Sequence, residues 1–431
     1  MAKSSVREEQ PAGEDLRQEI EKIAMAAREA SHRLAGLDSE TKNALLEEMA
    51  KGLEEGREEV LAANRADVEE AKRSGIGGAL LDRLTLNESR VRDMVSGLRE
   101  VKALPDPVGE IEGMQRRPNG LMVGRMRVPL GVIGMVFEAR PNVTVDAAAL
   151  CLKSGNAVIL RGGSEARRSN AILATILQRA LRKFDLPGAA VTLIPTTDRA
   201  AVTLLARQDK YVDVLIARGG EGLIHTLEQE ATVPLFKHGK GVCHTFVDAR
   251  ADLGKAGEIV FNAKVHRPGV CNAMETLLVH EQIAGVFLPG ISARLQKAGV
   301  ELRGCEKARA IVPGMLPATE EDWAAEYLSL ILAVRVVPDL NAAIAHIRRY
   351  GSLHTEAIVT EDYSIAMRFL REVDASAVLV NASTRFNDGG QLGLGAEIGI
   401  STQKLHARGP LGLRELTSTK FVGLGNGQIR S

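Results

Sequence analysis

The chain has 431 residues, with 55 Lys and Arg against 55 Asp and Glu, 45% hydrophobic residues and 3% aromatics. That length suggests roughly two to three lobes, and the balanced charge argues against a nucleic-acid backbone or an anionic membrane surface as partner. The four cysteines, Cys151, Cys243, Cys271 and Cys305, are too few for a disulfide framework, no secretory segment opens the chain, and apolar runs break before a membrane span is reached, so a cytoplasmic protein acting on small molecules is expected.

The polar start, MAKSSVREEQPAGE, is expected to form a tail. From Leu16 the apolar residues Ile20, Ile23, Ala27, Ala30 and Leu34 recur at steps of four and three, which predicts one face of an amphipathic helix. Asp38 and Ser39 offer caps for the next helix. The segments EEVLAANRADVEEAKRS and NESRVRDMVSGLREV continue the pattern, so a helical layer with a charged outer face is expected to about Val101.

After KALPDPVGE the texture changes, and the alternation from Leu121 to Arg127 predicts an extended hairpin. Three apolar runs follow, AVILR, AVTLIP and VDVLIAR, each leading into a helical segment. Such runs predict βαβ units and a parallel sheet buried on both faces. A second alternating block follows Cys271, including ETLLVH, LAVRVV, EAIVT and AVLVNAS, so the fold class is α/β with two lobes flanking the segment near Lys240.

Candidate chemistry collects at glycine-marked junctions. The strand AVILR ends at Arg161 and continues through Gly162, Gly163, Ser164 and Glu165 into a helix, where unpaired amides can cradle a phosphate. Arg161, Arg167 and Arg168 add positive charge that favours a cofactor with an extra ribose phosphate. Gly219, Gly220 and Glu221 repeat the junction after VDVLIAR, and no GxGxxG follows any of these strands. Such junctions are also ordinary α/β punctuation, and the residues alone leave both readings open.

Cys271 follows a Pro-Gly turn in HRPGVCNAMETLLVH, whereas Cys151 lies in an apolar helical pattern and Cys243 and Cys305 look similarly packed. A nucleophilic thiol needs a helix N-terminus, a cation or a dipole beside it, so spacing by itself does not separate nucleophile from inert packing. The glycine-dense stretch RFNDGGQLGLGAEIGISTQ reads either as an anion-binding loop beside Arg385 or as a long surface loop.

The segments GVIGMVFEARPNVTVDAAALCLKSGNAVILRGGSEA, HRPGVCNAMETLLVH, AIAHIRRYGSLHTEAIVT and GLGAEIGISTQKLHARGPLGLRELT, in that order, resemble the aldehyde dehydrogenase superfamily, and most closely its members that reduce an acyl phosphate. The resemblance runs from about Leu16 to the end and implies two Rossmann-like α/β lobes plus an oligomerisation hairpin and tail. It divides the chain into a cofactor-binding domain (1–117 and 133–240), a catalytic domain (241–392) and oligomerisation segments (118–132 and 393–431). In that superfamily the hairpin and tail are exchanged between subunits, which makes Gly120 to Val132 and Glu415 to Val422 candidate interface strands of a homo-oligomer.

By the same resemblance Cys271 is the catalytic thiol and Asn142 supplies a side-chain amide to the oxyanion. Residues Arg161 to Glu165 and Gly219 to Glu221 contact NADPH, with Glu326 on the nicotinamide ribose, and Arg385, Asp388, Gly389 and Gly390 hold the substrate's α-carboxylate and ammonium. No metal site is implied. Where hydrolytic relatives carry a water-activating Glu, this sequence has Lys237 in LFKHGKGV, and Lys237 and His238 would make the neighbourhood positive. The implied reaction is reduction of L-glutamyl 5-phosphate to L-glutamate 5-semialdehyde and phosphate through a cysteinyl thioester, with a possible functional association with glutamate 5-kinase. The alternative is a hydrolytic NAD(P)-dependent dehydrogenase of a small aldehyde.

Overall fold

The computed structural model describes residues 12–237 and 239–430. Two compact units emerge: the first ends at Lys237 and adds Gly395–Gly399 and the chain from Leu411, and the second runs to Leu394 and adds Ile400–Pro410.

The first unit opens with helices α1 (Ala12–Ala35), α2 (Ser39–Glu55), α3 (Arg57–Arg73), α4 (Gly78–Leu84) and α5 (Glu88–Ala103). In α1 the predicted stripe is the buried one, with Ile20, Ala27, Ala30 and Leu34 sealed from solvent. Asp38 caps α2 by accepting the Thr41 amide at 2.7 Å. Strands β1 (Ile111–Arg116) and β2 (Met122–Pro129) then form an antiparallel hairpin. Its reach differs from the sequence expectation of 118–132, because residues 117–120 are the turn, closed by the Gly120 amide on the Arg117 carbonyl with Gly120 at a φ of +87°.

Val132 begins the buried sheet instead, whose elements are β3 (Val132–Phe137), α6 (Asn142–Lys153), β4 (Ala157–Arg161), α7 (Arg167–Lys183), β5 (Val191–Leu193), α8 (Ala200–Ala206), β6 (Val214–Arg218), α9 (Glu221–Glu230) and β7 (Leu235–Lys237). The strands lie in the order β5-β4-β3-β6-β7, all parallel. Strands β3 and β4 are buried along their whole length, which is why their sequences are continuous apolar runs without alternation.

The second unit runs β8 (Cys243–Val247), α10 (Leu253–Val265), β9 (Met274–His280), α11 (Glu281–Lys297), β10 (Glu301–Gly304), α12 (Glu306–Ile311), β11 (Leu316–Pro317), β12 (Ile331–Val337), α13 (Leu340–Tyr350), β13 (Thr355–Val359), α14 (Tyr363–Glu372) and β14 (Ala377–Val380), followed by the short antiparallel pair β15 (Ile400–Ser401) and β16 (Gly409–Pro410). Its main sheet is again parallel, ordered β11-β10-β12-β9-β8-β13-β14. One face packs Val260, Leu277, Leu288 and Leu295, and the other packs Phe246, Leu278, Ile344 and Phe369. Each such side chain contributes about 1.5–3 kcal/mol on burial.

Back in the first unit, β17 (Thr417–Leu424) pairs antiparallel with β2 of its own chain, from Thr417 opposite Pro129 to Leu424 opposite Met122. The tail strand thus completes a three-stranded sheet with the hairpin, because β2 offers it a full-length edge opposite β1. Among the described residues no helix is long and apolar enough to cross a membrane.

In the second unit an ion pair lies inside the core: Lys264 of α10 and Glu275 of β9 are both fully buried, 2.5 Å apart. Burial pushes the Glu275 carboxyl up to about 7 and the Lys264 ammonium down. Lys264→Met is expected to lower unfolding free energy by about 3 kcal/mol, because the carboxyl loses its partner where water cannot replace it. Denaturant titration measures this, and adding Glu275→Leu is expected to recover most of the loss.

Candidate active site

In the first unit, β3 is flanked by β4 on one side and β6 on the other, so the strand order reverses between β3 and β6. Ligands of such sheets bind in the crevice at the carboxyl ends of the strands beside this switch. The predicted residues Arg161 to Glu165 and Gly219 to Glu221 leave β4 and β6 at that edge, and Asn142 opens α6 after β3.

The glycines there answer first to the protein's own side chains. A Cβ on Gly162 would sit 2.1 Å from Asn170 Nδ2, one on Gly163 would sit 2.1 Å from Glu165 Oε1, and one on Gly219 would sit 2.9 Å from the Glu138 carboxylate. Glu138 accepts the Gly220 amide at 3.0 Å, and Glu165 accepts the Ala139 amide at 2.6 Å, holding Ala139 at a φ of 37°. Beyond Gly220 the backbone is open, since a Cβ on Gly222 would meet nothing within 4 Å. Sequence reasoning missed Glu138, whose contacts lie 82 positions away.

Two arginines of this junction have partners within the protein. Arg161 turns its guanidinium onto the carbonyls of Gly162 (2.9 Å), Thr197 (3.0 Å) and Asp198 (3.4 Å), with Nε buried and unpaired. Arg168 pairs with Asp67 at 3.3 Å and Glu70 at 2.6 Å, tying α7 to α3. Both guanidinium groups thus have partners within the protein. Arg167 stays exposed. Lys237 is ion-paired with Glu228 on α9, so its charge is largely compensated, and His238 lies outside the described residues.

Asn142 is half-buried, and its Nδ2 donates to Asp146 Oδ2 at 2.8 Å, one helical turn on. Desolvation pushes the Asp146 carboxyl up to about 6 against the opposing effects of the Asn142 hydrogen bond and the Arg218 charge.

In the second unit the chemistry gathers at the amino edge of the sheet. Cys271 is half-buried on a turn before β9, with no helix beginning at it. Gly241, just before β8, lies against its backbone: a Cβ there would fall 1.9 Å from the Cys271 carbonyl oxygen. The Gly241 amide donates to Glu326 Oε1 at 2.9 Å, which brings the predicted ribose carboxylate to the turn of the predicted nucleophile.

Cys243 donates its thiol to the Cys271 carbonyl at 3.1 Å, and burial holds that thiol well above its ordinary value, as it does for Cys151. These two are packing thiols, as their apolar sequence surroundings predicted. Asn272 reaches across to the carbonyls of Asn387 (3.0 Å) and Arg385 (3.4 Å), fastening the Cys271 turn to the glycine-dense loop. Arg385 is half-buried with its Nε unpaired, desolvation lowers its affinity for its proton, and it is electrostatically coupled to Asp388 and Cys271. Asp388 Oδ1 accepts the amides of Gly390 (3.1 Å) and Gln391 (3.4 Å), closing the loop in which Gly389 and Gly390 sit. Asn272 and Gly241 escaped sequence reasoning, although an Asn directly after the candidate cysteine was a usable signal.

A parallel sheet with a strand-order switch in one unit and a turn-borne cysteine at the edge of a second parallel sheet describe a two-unit oxidoreductase. The profile of the Aldehyde dehydrogenase family matches residues 12–306, and the chain belongs to that family. Within it the similarity is to gamma-glutamyl phosphate reductases: the proteins of Moorella thermoacetica and Carboxydothermus hydrogenoformans are each 60% identical over 412 residues, covering 96% of this chain and 99% of theirs. The crystal structure of gamma-glutamyl phosphate reductase from Thermotoga maritima matches at a TM-score of 0.94 with 50% identity, over 96% of this chain and 100% of that one.

Proposed function

We propose that the chain catalyses NADPH-dependent reduction of L-glutamyl 5-phosphate to L-glutamate 5-semialdehyde and phosphate in proline biosynthesis, through a thioester on Cys271. The observation that carries this reading is the Cys271 turn itself, half-exposed, fastened by Asn272 to the Arg385 loop and backed by Gly241 and Glu326. The 60% identity to gamma-glutamyl phosphate reductases supplies the substrate class.

The first unit's crevice fits a dinucleotide by the chemistry of its donors and acceptors. Carboxylates Glu138 and Glu165 offer acceptors to ribose hydroxyls, the backbone at Gly220 and Gly222 leaves room for a phosphate, and exposed Arg167 is a cation available to a further ribose phosphate. Glu326 has its Oε2 to offer to the nicotinamide ribose. When bound, NADPH supplies the hydride that reduces the thioester.

The residues of the chain do the rest. The Cys271 thiolate attacks the γ-acyl carbon, a carbon–sulfur bond forms, and the carbon–oxygen bond to phosphate breaks with release of phosphate. Asn142 Nδ2 and the Cys271 amide donate to the oxyanion. Arg385 pairs with the substrate's α-carboxylate, and Asp388 with its ammonium. After reduction the carbon–sulfur bond breaks, the semialdehyde leaves and the thiolate is restored. Where a hydrolytic relative carries a water-activating carboxylate, this chain has the ammonium of Lys237, which pairs with Glu228 and is itself no base.

The reaction is testable in reverse. With L-glutamate 5-semialdehyde and NADP, NADPH formation is expected to depend on inorganic phosphate and to be slower with NAD. Equal rates in phosphate-free buffer, with free glutamate as product, would overturn the proposal in favour of a hydrolytic dehydrogenase.

A further inference from the structure

We infer that Asp146 is a positioning residue that fixes which end of the Asn142 side-chain amide faces the reacting carbonyl. The inference rests on the reading of Asn142 as oxyanion donor. An asparagine amide has two ends of nearly equal size, one an acceptor and the other carrying two N–H donors, and only the donor end stabilises an oxyanion. Left to itself the group rotates between them at little cost.

Asp146 removes that freedom. It follows Asn142 by four positions on α6, so the two side chains share a face, and its Oδ2 takes Asn142 Nδ2 at 2.8 Å. An ionised carboxylate only accepts hydrogen bonds, so it rejects the carbonyl end of the amide and selects the nitrogen. One N–H is consumed by Asp146 and the second is left for the oxyanion. The α5 helix presents Gly97 to the carboxylate, where even a Cβ would stand 3.9 Å from Oδ1, so no side chain there competes for it. Arg218, at the end of β6, is the charged group coupled to Asp146 and favours its ionised form.

The arrangement predicts a pH response. Burial leaves the carboxyl titrating near 6, so it is ionised at neutral pH and gains a proton as pH falls through that value. Once protonated it donates as readily as it accepts, the amide is no longer held by its nitrogen, and kcat falls on the acid side.

The test is steady-state kinetics of the phosphate-dependent reverse reaction across pH 5–8, on Asp146→Asn, Asp146→Ser, Asn142→Ala and the Asn142→Ala/Asp146→Asn double variant, with thermal midpoints as a folding control. Asp146→Asn is expected to lower kcat by roughly 10- to 100-fold, as small misplacements of a reacting-centre group do, with KM for the semialdehyde nearly unchanged and the acid limb near pH 6 abolished. Asp146→Ser carries the same expectation if the asparagine variant fails to fold. In the Asn142→Ala background the Asp146 change is expected to add no further loss. An inactive Asn142→Ala enzyme beside an Asp146→Asn enzyme with wild-type kcat and acid limb would overturn the positioning role and leave Asn142 as donor. Full activity in Asn142→Ala would overturn both.

Discussion

Cys271→Ser is expected to abolish turnover while leaving the fold intact. A serine hydroxyl in place of the thiol is almost wholly protonated at neutral pH, and a hydroxyl becomes a nucleophile in enzymes only when an adjacent base takes its proton. The groups around Cys271 are of another kind: a cation in Arg385, a carboxylate in Glu326 already bonded to Gly241, and the buried thiol of Cys243. Loss of an enzyme's nucleophile costs on the order of 10⁴-fold or more in kcat. The turn is held through backbone atoms of Cys271 and the side chain of Asn272, none of which the substitution touches, so the thermal midpoint is expected to stay put. Mass spectrometry of the enzyme quenched with semialdehyde and NADP should detect the acyl adduct on Cys271 in the wild type and none in the variant. Full velocity in the serine enzyme would end the thioester mechanism.

The second large effect is expected from a single methyl group. Gly241→Ala would place a Cβ 1.9 Å from the carbonyl oxygen of Cys271 and 2.6 Å from both its carbonyl carbon and its Cα. These are backbone atoms, which cannot swing aside as a flexible side chain does, so one of the two segments must move. Gly241 is tied to Glu326 through its amide, and Cys271 to Cys243 through its carbonyl, so the displacement separates the nucleophile from the carboxylate. A shift of about 1 Å at a reacting centre costs roughly 100-fold in rate. The expected result is a loss of that size in kcat and an altered rate of Cys271 alkylation by iodoacetamide. The control is Gly257→Ala, in α10, where a Cβ meets nothing within 4 Å. There the substitution is expected to preserve activity and to raise stability by about 0.5–1 kcal/mol through helix propensity. Wild-type kinetics in Gly241→Ala would show that the turn does not need this close approach.

Much of the fold was legible because it is written in local periodicity. The stripe from Leu16 to Leu34 is a helix face because helical residues three and four apart share a side, and the apolar run AVIL that opens β4 lacks alternation because a parallel strand is covered on both faces. Cys271 was separable from Cys151 for the same kind of reason: one follows a Pro-Gly turn, whereas the other sits inside an apolar helix.

The amino-acid order by itself therefore determined the elements, their α/β class and the turn that exposes the thiol, since each depends on residues within a few positions of one another. Only the tertiary structure decided that Arg161 and Arg168 spend their charge on the protein, that β17 completes the sheet of β2, that Gly241 backs Cys271, and that Glu138 and Glu165 occupy the amides at the crevice. Hydrogen-bond geometry and steric exclusion act over a few ångströms of space, and folding brings Arg168 onto Asp67 across 101 positions, and Arg127 of β2 onto Thr417 of β17 across 290. Partners that far apart leave no periodic trace along the chain.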